Sequence, residues 1–569
     1  MPAADGITVR AIAGTHAVIL GMDATTEESR RGLLGFGIGK RLADGNIDPL
    51  RGFKFFSETA PAPQPGERRS TFEHPIQDFQ WGDYSVPPGS DVTYVVQAIY
   101  GRPGALKRGP EIEVPTHTGN DTGSLHEVHF NRGAIPSQAF ADQFGNVGPT
   151  DVEVNDPENA KVKWLSRGLL DAMLGFIAEA RGAQHELRVA AYEFVYRPVL
   201  EALAAAAGRG VTVRLCFDAG DRRQDGSIAP SHTSAANISA IGQVGLDRAR
   251  TASLHPRTRY SAIPHNKFVI LRERDRPIAV WTGSTNITPS GFLGQSNVAH
   301  LIRDPELSAH YDAYWEKIAT DPSTTAFKTF NTKRFPDALD LADGGILPIF
   351  SPRQAGMLDW YARALREATA SAMFTAAFGV AQPLAEVFGE NRDFLRFLLM
   401  ESREKNVERR ALITADHDTV IALGERLNSE TIQLSINGFR LDQWFREEEH
   451  FRKKGNIFYI HTKFLGLDLL SDDPKLFTGS ANFSKGSVES NDENMLLMRG
   501  PNFRRVADIY AVEFMRLFNH LYFRTVAVRN ARLRRGSPAK AAILDPSDRW
   551  VARHFRSGGY HDHLRRLFR

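Results

Sequence analysis

The sequence predicts an α/β fold in which two pseudo-symmetric halves pack around one site, preceded by a small all-β sandwich. Three observations predict it. Matching polar residues recur in two stretches of the chain at a constant offset of 196 residues. Strands and helices alternate beyond about residue 160, and the alternation returns in the second stretch. Ahead of residue 119, short apolar runs are broken by turn-rich segments with no helical period between them.

The elements follow in chain order. Residues 1–118 read as β, with apolar runs such as His16-Ala17-Val18-Ile19-Leu20 and Val92-Thr93-Tyr94-Val95-Val96 and a break at Pro61-Ala62-Pro63-Gln64-Pro65-Gly66. The segment from Pro87-Pro88-Gly89 through Tyr94 to Ile112-Glu113-Val114 resembles the last strands of a fibronectin type III sandwich. The Gly/Thr/Asn/Asp stretch from Thr116 to Ser124 opens an expected linker over 119–159. The first half is placed at 160–335. There Leu187–Tyr192 reads as a strand, Pro198–Ala207 as a helix ended by Gly208-Arg209-Gly210, and Val211–Phe217 as the next strand, a βαβ unit with parallel pairing. The second half is placed at 336–530, with strands expected at Ala372–Phe378 and at Arg410-Ala411-Leu412-Ile413-Thr414. Residues 531–569 form a basic C-terminal tail, expected as a packed or frayed terminus.

Composition narrows the class. A chain of 569 residues with 42% hydrophobic residues can bury several cores. A net charge of +3 announces no strong polyanion binder. The lone cysteine, Cys216, forbids an intrachain disulfide, and its apolar neighbours make it a small buried hydrophobe. The first residues lack a basic start followed by an apolar run, and no stretch of about 18 apolar residues occurs, so a cytoplasmic protein without integral membrane association is expected.

The repeat carries the chemistry. His265 and Lys267 in Pro264-His265-Asn266-Lys267-Phe268 return as His461 and Lys463 in Ile460-His461-Thr462-Lys463-Phe464. Thr282-Gly283-Ser284-Thr285-Asn286 returns as Thr478-Gly479-Ser480-Ala481-Asn482, and Arg303, Pro305 and Tyr314 return as Arg499, Pro501 and Tyr510. A duplication kept only for its core would hold apolar positions in register, whereas here His, Lys, Ser and Asn recur. On a strand, His and Lys two apart share a face, as do Ser and Asn. Two such sets around one pocket suit a phosphate. Lysines supply charge, Ser and Asn donate hydrogen bonds, and fixed donors stabilise the charge gathered in a pentacoordinate transition state. One imidazole can attack phosphorus while neutral and the other can protonate the leaving oxygen, because both titrate near neutrality.

These residues resemble the HKD motif of the phospholipase D superfamily: His-x-Lys, four residues, Asp, then Gly-Ser-x-Asn. The resemblance spans about 160–525. It implies two phospholipase D-like α/β/α halves sharing one site, a phosphohistidine intermediate, and neither a metal nor another cofactor. Copy two is complete in His461, Lys463, Asp468, Ser480 and Asn482, and its Glu493 resembles the family's acidic residue that orients a histidine. Copy one departs, with Arg272 in place of the Asp and Asn297 in place of the Glu. His265, Lys267, His461 and Lys463 are expected to be catalytic, with Ser284, Asn286, Asp468, Ser480, Asn482 and Glu493 supporting them. Spacing does not say which histidine Glu493 faces. His461 is expected as the nucleophile and His265 as the acid.

The resulting expectation is a metal-independent phosphodiester hydrolase, a nuclease acting on DNA or RNA. The alternatives are a soluble phospholipase D acting on phosphatidyl lipids and a non-catalytic phosphate-binding protein with a decayed site. The N-terminal β domain is a place for a protein partner. Arg452-Lys453-Lys454 reads as a substrate clamp or a solvated loop, and His561-Asp562-His563 as a solvated polar stretch rather than metal ligands.

Overall fold

The structure is a computed structural model that describes residues 1–60, 67–133, 140, 143–145, 147–223, 225–259, 262–334, 344–424, 459–532 and 543–569. The Pro-rich break at 61–66 and the basic triplet Arg452-Lys453-Lys454 lie outside the described residues.

The N-terminal strands are β1 (Ile7–Ala13), β2 (Val18–Ala24), β3 (Gly35–Arg41), β4 (Gln80–Asp83), β5 (Asp91–Arg102) and β6 (Ile112–His117). Short alternating segments of this kind bury one face each. They form two antiparallel sheets, one running Ala3–Ala4, β1, β2, β4, the other Ala105–Arg108, β5, β3, Ile47–Pro49, with β6 also on β5. Val9, Val18 and Leu20 of one sheet share a core with Phe36, Ile38, Tyr94 and Val96 of the other. This is the expected all-β region.

The first α/β half comprises β7 (His126–Phe130), α1 (Leu169–Ala178), β8 (His185–Ala191), α2 (Arg197–Gly208), β9 (Thr212–Arg222), α3 (His232–Gln243), β10 (Ala252–Arg259), β11 (Lys267–Glu273), β12 (Arg276–Gly283), β13 (Val298–Ile302) and α4 (Pro305–Ala319). The second comprises β14 (Gly345–Ser351), α5 (Met357–Arg366), β15 (Ala372–Ala376), α6 (Gln382–Gly389), β16 (Arg396–Met400), α7 (Val407–Ile413), β17 (Thr419–Leu423), β18 (Phe464–Leu467), β19 (Lys475–Gly479), β20 (Glu493–Arg499) and α8 (Arg504–Arg532). The strand orders β7-β13-β12-β11-β8-β9-β10 and β14-β20-β19-β18-β15-β16-β17 match member for member. In each half the βαβ pairs are parallel and the motif strands antiparallel. Duplication therefore holds for the whole sheet as well as for the motifs.

Aromatic and aliphatic residues of α4 and α8 fill the space between the two sheets. Tyr311, Tyr314 and Trp315 join Tyr510, Phe514 and Phe518 in one core with strand residues of both halves. Trp315 Nε1 donates to the Val189 carbonyl at 2.8 Å, so its polar atom is satisfied within the layer. The outer faces carry α1 and α2 in the first half and α5 and α6 in the second. Each half is thus an α/β/α layering.

Two segments differ from expectation, and the C-terminal residues take the packed form of the two expected. Arg410–Thr414 is not a strand: α7 occupies Val407–Ile413, because the Asn406 side chain caps it by accepting from the Arg409 N–H and because Ile413 alone is buried. The strand is β16, whose five residues are all buried. The stretch 119–159, expected as a linker, contributes β7 to the edge of the first sheet, with Val128 and Phe130 buried and His126 and His129 less so. Its short polar alternation hides that strand. The C-terminal residues are built into the protein. Trp550 enters the N-terminal core and donates to the Leu33 carbonyl at 2.8 Å. The last helix, α9 (Tyr560–Phe568), packs on β2, where any side chain at Gly21 would meet the Phe568 carbonyl at 2.0 Å. Arg565 pairs with Asp23 at 2.6 Å. His563, expected in a solvated stretch, is 8% exposed. Cys216 is buried, as expected.

The joint between the halves contains a buried triad. Arg167 and Arg516 flank Glu513 at 2.5 and 2.8 Å, and Glu513 is fully buried. Burial opposes its ionisation, but the two guanidinium groups outweigh burial and hold it at about 2. Because its folded value lies below its unfolded one, the stability it contributes is complete above the ordinary glutamate range and is lost as pH falls toward 2. Glu513→Ala leaves two buried cations unpaired, and urea unfolding at neutral pH should show a loss of about 3–5 kcal/mol. A loss below about 1 kcal/mol would show that solvent reaches the triad.

Candidate active site

Both motif histidines sit just before a strand, in loops pinned by the opposite half. The His461 N–H donates to the Ser296 carbonyl at 3.1 Å, and the Ser296 N–H to the Tyr459 carbonyl at 2.7 Å. On the other side the Asp492 N–H donates to the Ile263 carbonyl at 3.0 Å, and the Ile263 N–H to Asn491 Oδ1 at 3.1 Å. The two histidine loops are therefore cross-braced.

The serine motifs close the site from neighbouring strands. Gly283 and Gly479 end β12 and β19 at φ +155° and +159°, and a Cβ at either would lie 2.2–2.3 Å from the Val298 or Asn494 carbonyl of the adjacent strand. Only glycine permits that approach. It lets the Ser284 and Ser480 N–H groups donate to the same carbonyls at 2.9 and 2.8 Å.

From these placements two crossed chains of hydrogen bonds arise. Ser480 Oγ donates to Glu493 Oε2 at 2.6 Å, and that oxygen lies 2.8 Å from His265 Nδ1. Ser284 Oγ donates to Asn297 Oδ1 at 2.8 Å, and that oxygen lies 2.8 Å from His461 Nδ1. Asn297 and Glu493 are equivalent under the repeat, so the chains are pseudo-symmetric and differ in one group. Each Nδ1 is engaged, leaving Nε2 for chemistry. Lys267 Nζ and Lys463 Nζ each donate to the carbonyl of their own motif histidine at 2.7 Å. The buried amide oxygens of Asn286 and Asn482 have no hydrogen-bond partner among the described residues, so polar groups remain for a ligand.

The structure brings His265, Lys267, Ser284, Asn286, His461, Lys463, Ser480, Asn482 and Glu493 to one place. Asp468 is elsewhere. It follows β18 while His461 precedes it, so the strand, about 13 Å long, lies between the two positions. Asp468 accepts from the N–H groups of Thr369, Ala370 and Ser371 at 2.7–2.9 Å, holding the turn ahead of β15. Arg272 occupies the same place in the first half and pairs with Asp312 and, at 3.6 Å, Glu186. The Asp-to-Arg difference is thus compensated locally, away from the site. Glu493 faces His265, not His461, so the carboxylate support on which His461 was expected to act as nucleophile belongs to the other histidine.

Sequence reading missed Glu193. Its carboxylate accepts from Asn286 Nδ2 and faces both motif lysines and His232. Tyr192, next to it, lies with its ring 5.2 Å from the His265 ring and 5.7 Å from Lys267 Nζ. Strand register equates Leu187 with Ala372 through their partners Leu271 and Leu467, and so equates Glu193 with Phe378. No repeated residue type marks these positions. The available signal was their place at the ends of β8 and β15.

Electrostatics set the resting state. Burial, then Lys267 and Lys463, hold His265 well below 6.5, and burial with the same lysines does so for His461. Burial brings Lys267 down to about 8 and lowers Lys463. Burial pushes Glu493 up to about 7 against the pull of Lys267, Ser480 and Asn491. An anion between the lysines reverses their effect on the imidazoles.

Residues 176–319 match the family model described as cardiolipin synthase, PLD-like domain. That segment, most of the first α/β half, is a phospholipase D-like domain. Solved structures similar to the chain include Nuc of Salmonella typhimurium, a phospholipase D family member, at 21% identity over 34% of this chain and 94% of that one, with a TM-score of 0.22. Phosphatidylserine synthase of Haemophilus influenzae Rd KW20 aligns at 11% identity over 65% and 92%, with a TM-score of 0.39. A variant of yeast tyrosyl-DNA phosphodiesterase aligns at 12% over 59% and 87%, with a TM-score of 0.30. No curated protein matches the chain.

If Glu493 must be ionised for His265 to react, turnover of a phosphodiester rises with pH through about 7. Glu493→Gln should remove that limb and lower kcat by about 10²–10⁴-fold, while Asp468→Asn should change stability and leave the pH profile intact. An unaltered profile in Glu493→Gln would detach the carboxylate from the reaction.

Proposed function

We propose that this protein hydrolyses phosphodiester bonds without a metal, through a phosphohistidine on His265, and that its substrate is nucleic acid, DNA or RNA. The observation that carries the chemistry is the pairing of His265 Nδ1 with Glu493 at 2.8 Å, while His461 has only the amide of Asn297. A carboxylate stabilises the cationic, phosphorylated imidazole and an amide does not. His265 Nε2 attacks phosphorus and the bond to the leaving oxygen breaks. His461, protonated when the anion is bound, gives that oxygen its proton. Water then attacks the phosphohistidine, His461 takes its proton, and the P–N bond breaks to release a phosphomonoester and neutral His265. Lys267 and Lys463 hold the phosphoryl oxygens, the charge-neutralising role a metal fills in other phosphodiesterases.

Nucleic acid is favoured by the rings beside the site. Tyr192 lies against His265, and Phe378, 60% exposed, stands at the position equivalent to Glu193. Bases stack on such rings. Among the described residues, no helix is long and apolar enough to cross a membrane.

Incubation with DNA, RNA and phosphatidyl vesicles in EDTA should give cleavage of nucleic acid that His265→Asn and His461→Asn both abolish. Lipid turnover alone would move the protein to the phospholipases, and no turnover of any substrate would leave phosphate binding. With a p-nitrophenyl phosphodiester, whose leaving group needs no proton, His461→Asn should accumulate on His265 the phosphoryl group still carrying its second ester substituent, read by mass spectrometry. That group on His461 in His265→Asn would reverse the assignment.

A further inference from the structure

A second polar cluster lies away from the active site. Asp393 precedes β16, Asp418 precedes β17, and His563 is on α9, so three separate segments of the chain converge. His563 Nε2 lies 3.4 Å from Asp393 Oδ1 and 3.7 Å from Asp418 Oδ1, and one oxygen or nitrogen from each residue falls within 4.8 Å of the others. Ligands of a tetrahedral zinc ion, each about 2.1 Å from the metal, stand about 3.4 Å apart. The spacing is that of a coordination edge.

The second observation is an unmet polar demand. Asp418 is 1% exposed and His563 8% exposed, and neither Asp418 Oδ1 nor His563 Nε2 has a hydrogen-bond partner among the described residues. These are the two atoms that face each other. Asp416, two residues before Asp418, shows the contrast, since Arg396 meets it at 2.5 Å. Among the described residues, Asp418 pairs with no guanidinium. Asp393 is exposed, and with His563 it lines a cavity of about 320 Å³, which gives a hydrated ion a way in. Arg10, Arg566 and Arg569 also line that cavity; Arg566 shares Asp562 with Arg565, and Arg569 lies 3.7 Å from Asp23.

We propose that Asp393, Asp418 and His563 bind a divalent cation of zinc type, with water completing the shell. One imidazole and two carboxylates suit zinc, and three protein ligands leave a position for water. The ion would tie α9, which packs on the N-terminal sheet, to the second α/β half. Its place is structural and independent of the phosphodiesterase chemistry.

Zn²⁺ titrated by calorimetry into EDTA-stripped, extensively dialysed protein should bind at one equivalent and raise Tm. His563→Ala and Asp418→Asn should each lose that equivalent and the Tm rise, while retaining wild-type circular dichroism. Should either variant fail to fold, Co²⁺ added to the wild-type protein should give the visible absorption of a tetrahedral site, and Zn²⁺ should protect His563 from diethylpyrocarbonate. No uptake, uptake unchanged in both folded variants, or His563 modified equally with and without Zn²⁺ would overturn the site.

Discussion

The Nδ1 atoms of His265 and His461 are each held by an oxygen from the opposite half, Glu493 Oε2 and Asn297 Oδ1. Everything else serves that crossing. The histidine loops must reach over the seam, so they are braced by main-chain bonds at Ser296 and Ile263. The seam must not slide, so α4 and α8 fill it with tyrosine, tryptophan and phenylalanine side chains whose polar atoms find buried partners. The serine motifs must present an oxygen to the crossing residue, so glycine stands before each where a Cβ would strike the next strand. A half taken alone would have a histidine motif and no partner for it.

Burial gives the arrangement its reactivity. Lysines and imidazoles placed close together, away from solvent, repel one another and give up their protons more readily than in water. On the proposed chemistry a bound phosphate would supply the missing negative charge, so that the substrate completes the site electrostatically. Glu193 tempers this near the lysines, with its own ionisation disfavoured by burial. The Arg167–Glu513–Arg516 triad shows a different solution, in which two buried guanidinium groups share one carboxylate inside the protein.

The order of the halves was legible in the sequence because chemistry repeats there more faithfully than hydrophobicity. His265 and His461, with the lysines, serines and asparagines that follow, keep one offset with no gap. The strands around them emerged where apolar runs were long, as at β8, β9 and β15. Other parts stayed hidden for physical reasons. β7 is only five residues long with three of them polar, and its pairing to β13 is non-local. Ala411-Leu412-Ile413 is apolar in any conformation, and only the Asn406 cap declares it helical. Glu193 has no repeated counterpart, and Asp468 shares the motif without sharing the site. Which histidine Glu493 faces is a property of the seam between halves, which no spacing along one chain encodes.

The single difference between the crossed chains, a carboxylate on one side and an amide on the other, makes the pocket unequal although its frame is nearly twofold. On the proposed chemistry, phosphorus bonds to the His265 side and the departing oxygen leaves on the His461 side. A phosphodiester has two ester oxygens, and only one orientation places the scissile one correctly. A directional polymer must therefore enter with one polarity, always yielding the same kind of end. On that chemistry, an amide one methylene shorter at the position of a carboxylate is what lets a nearly symmetric cradle read direction.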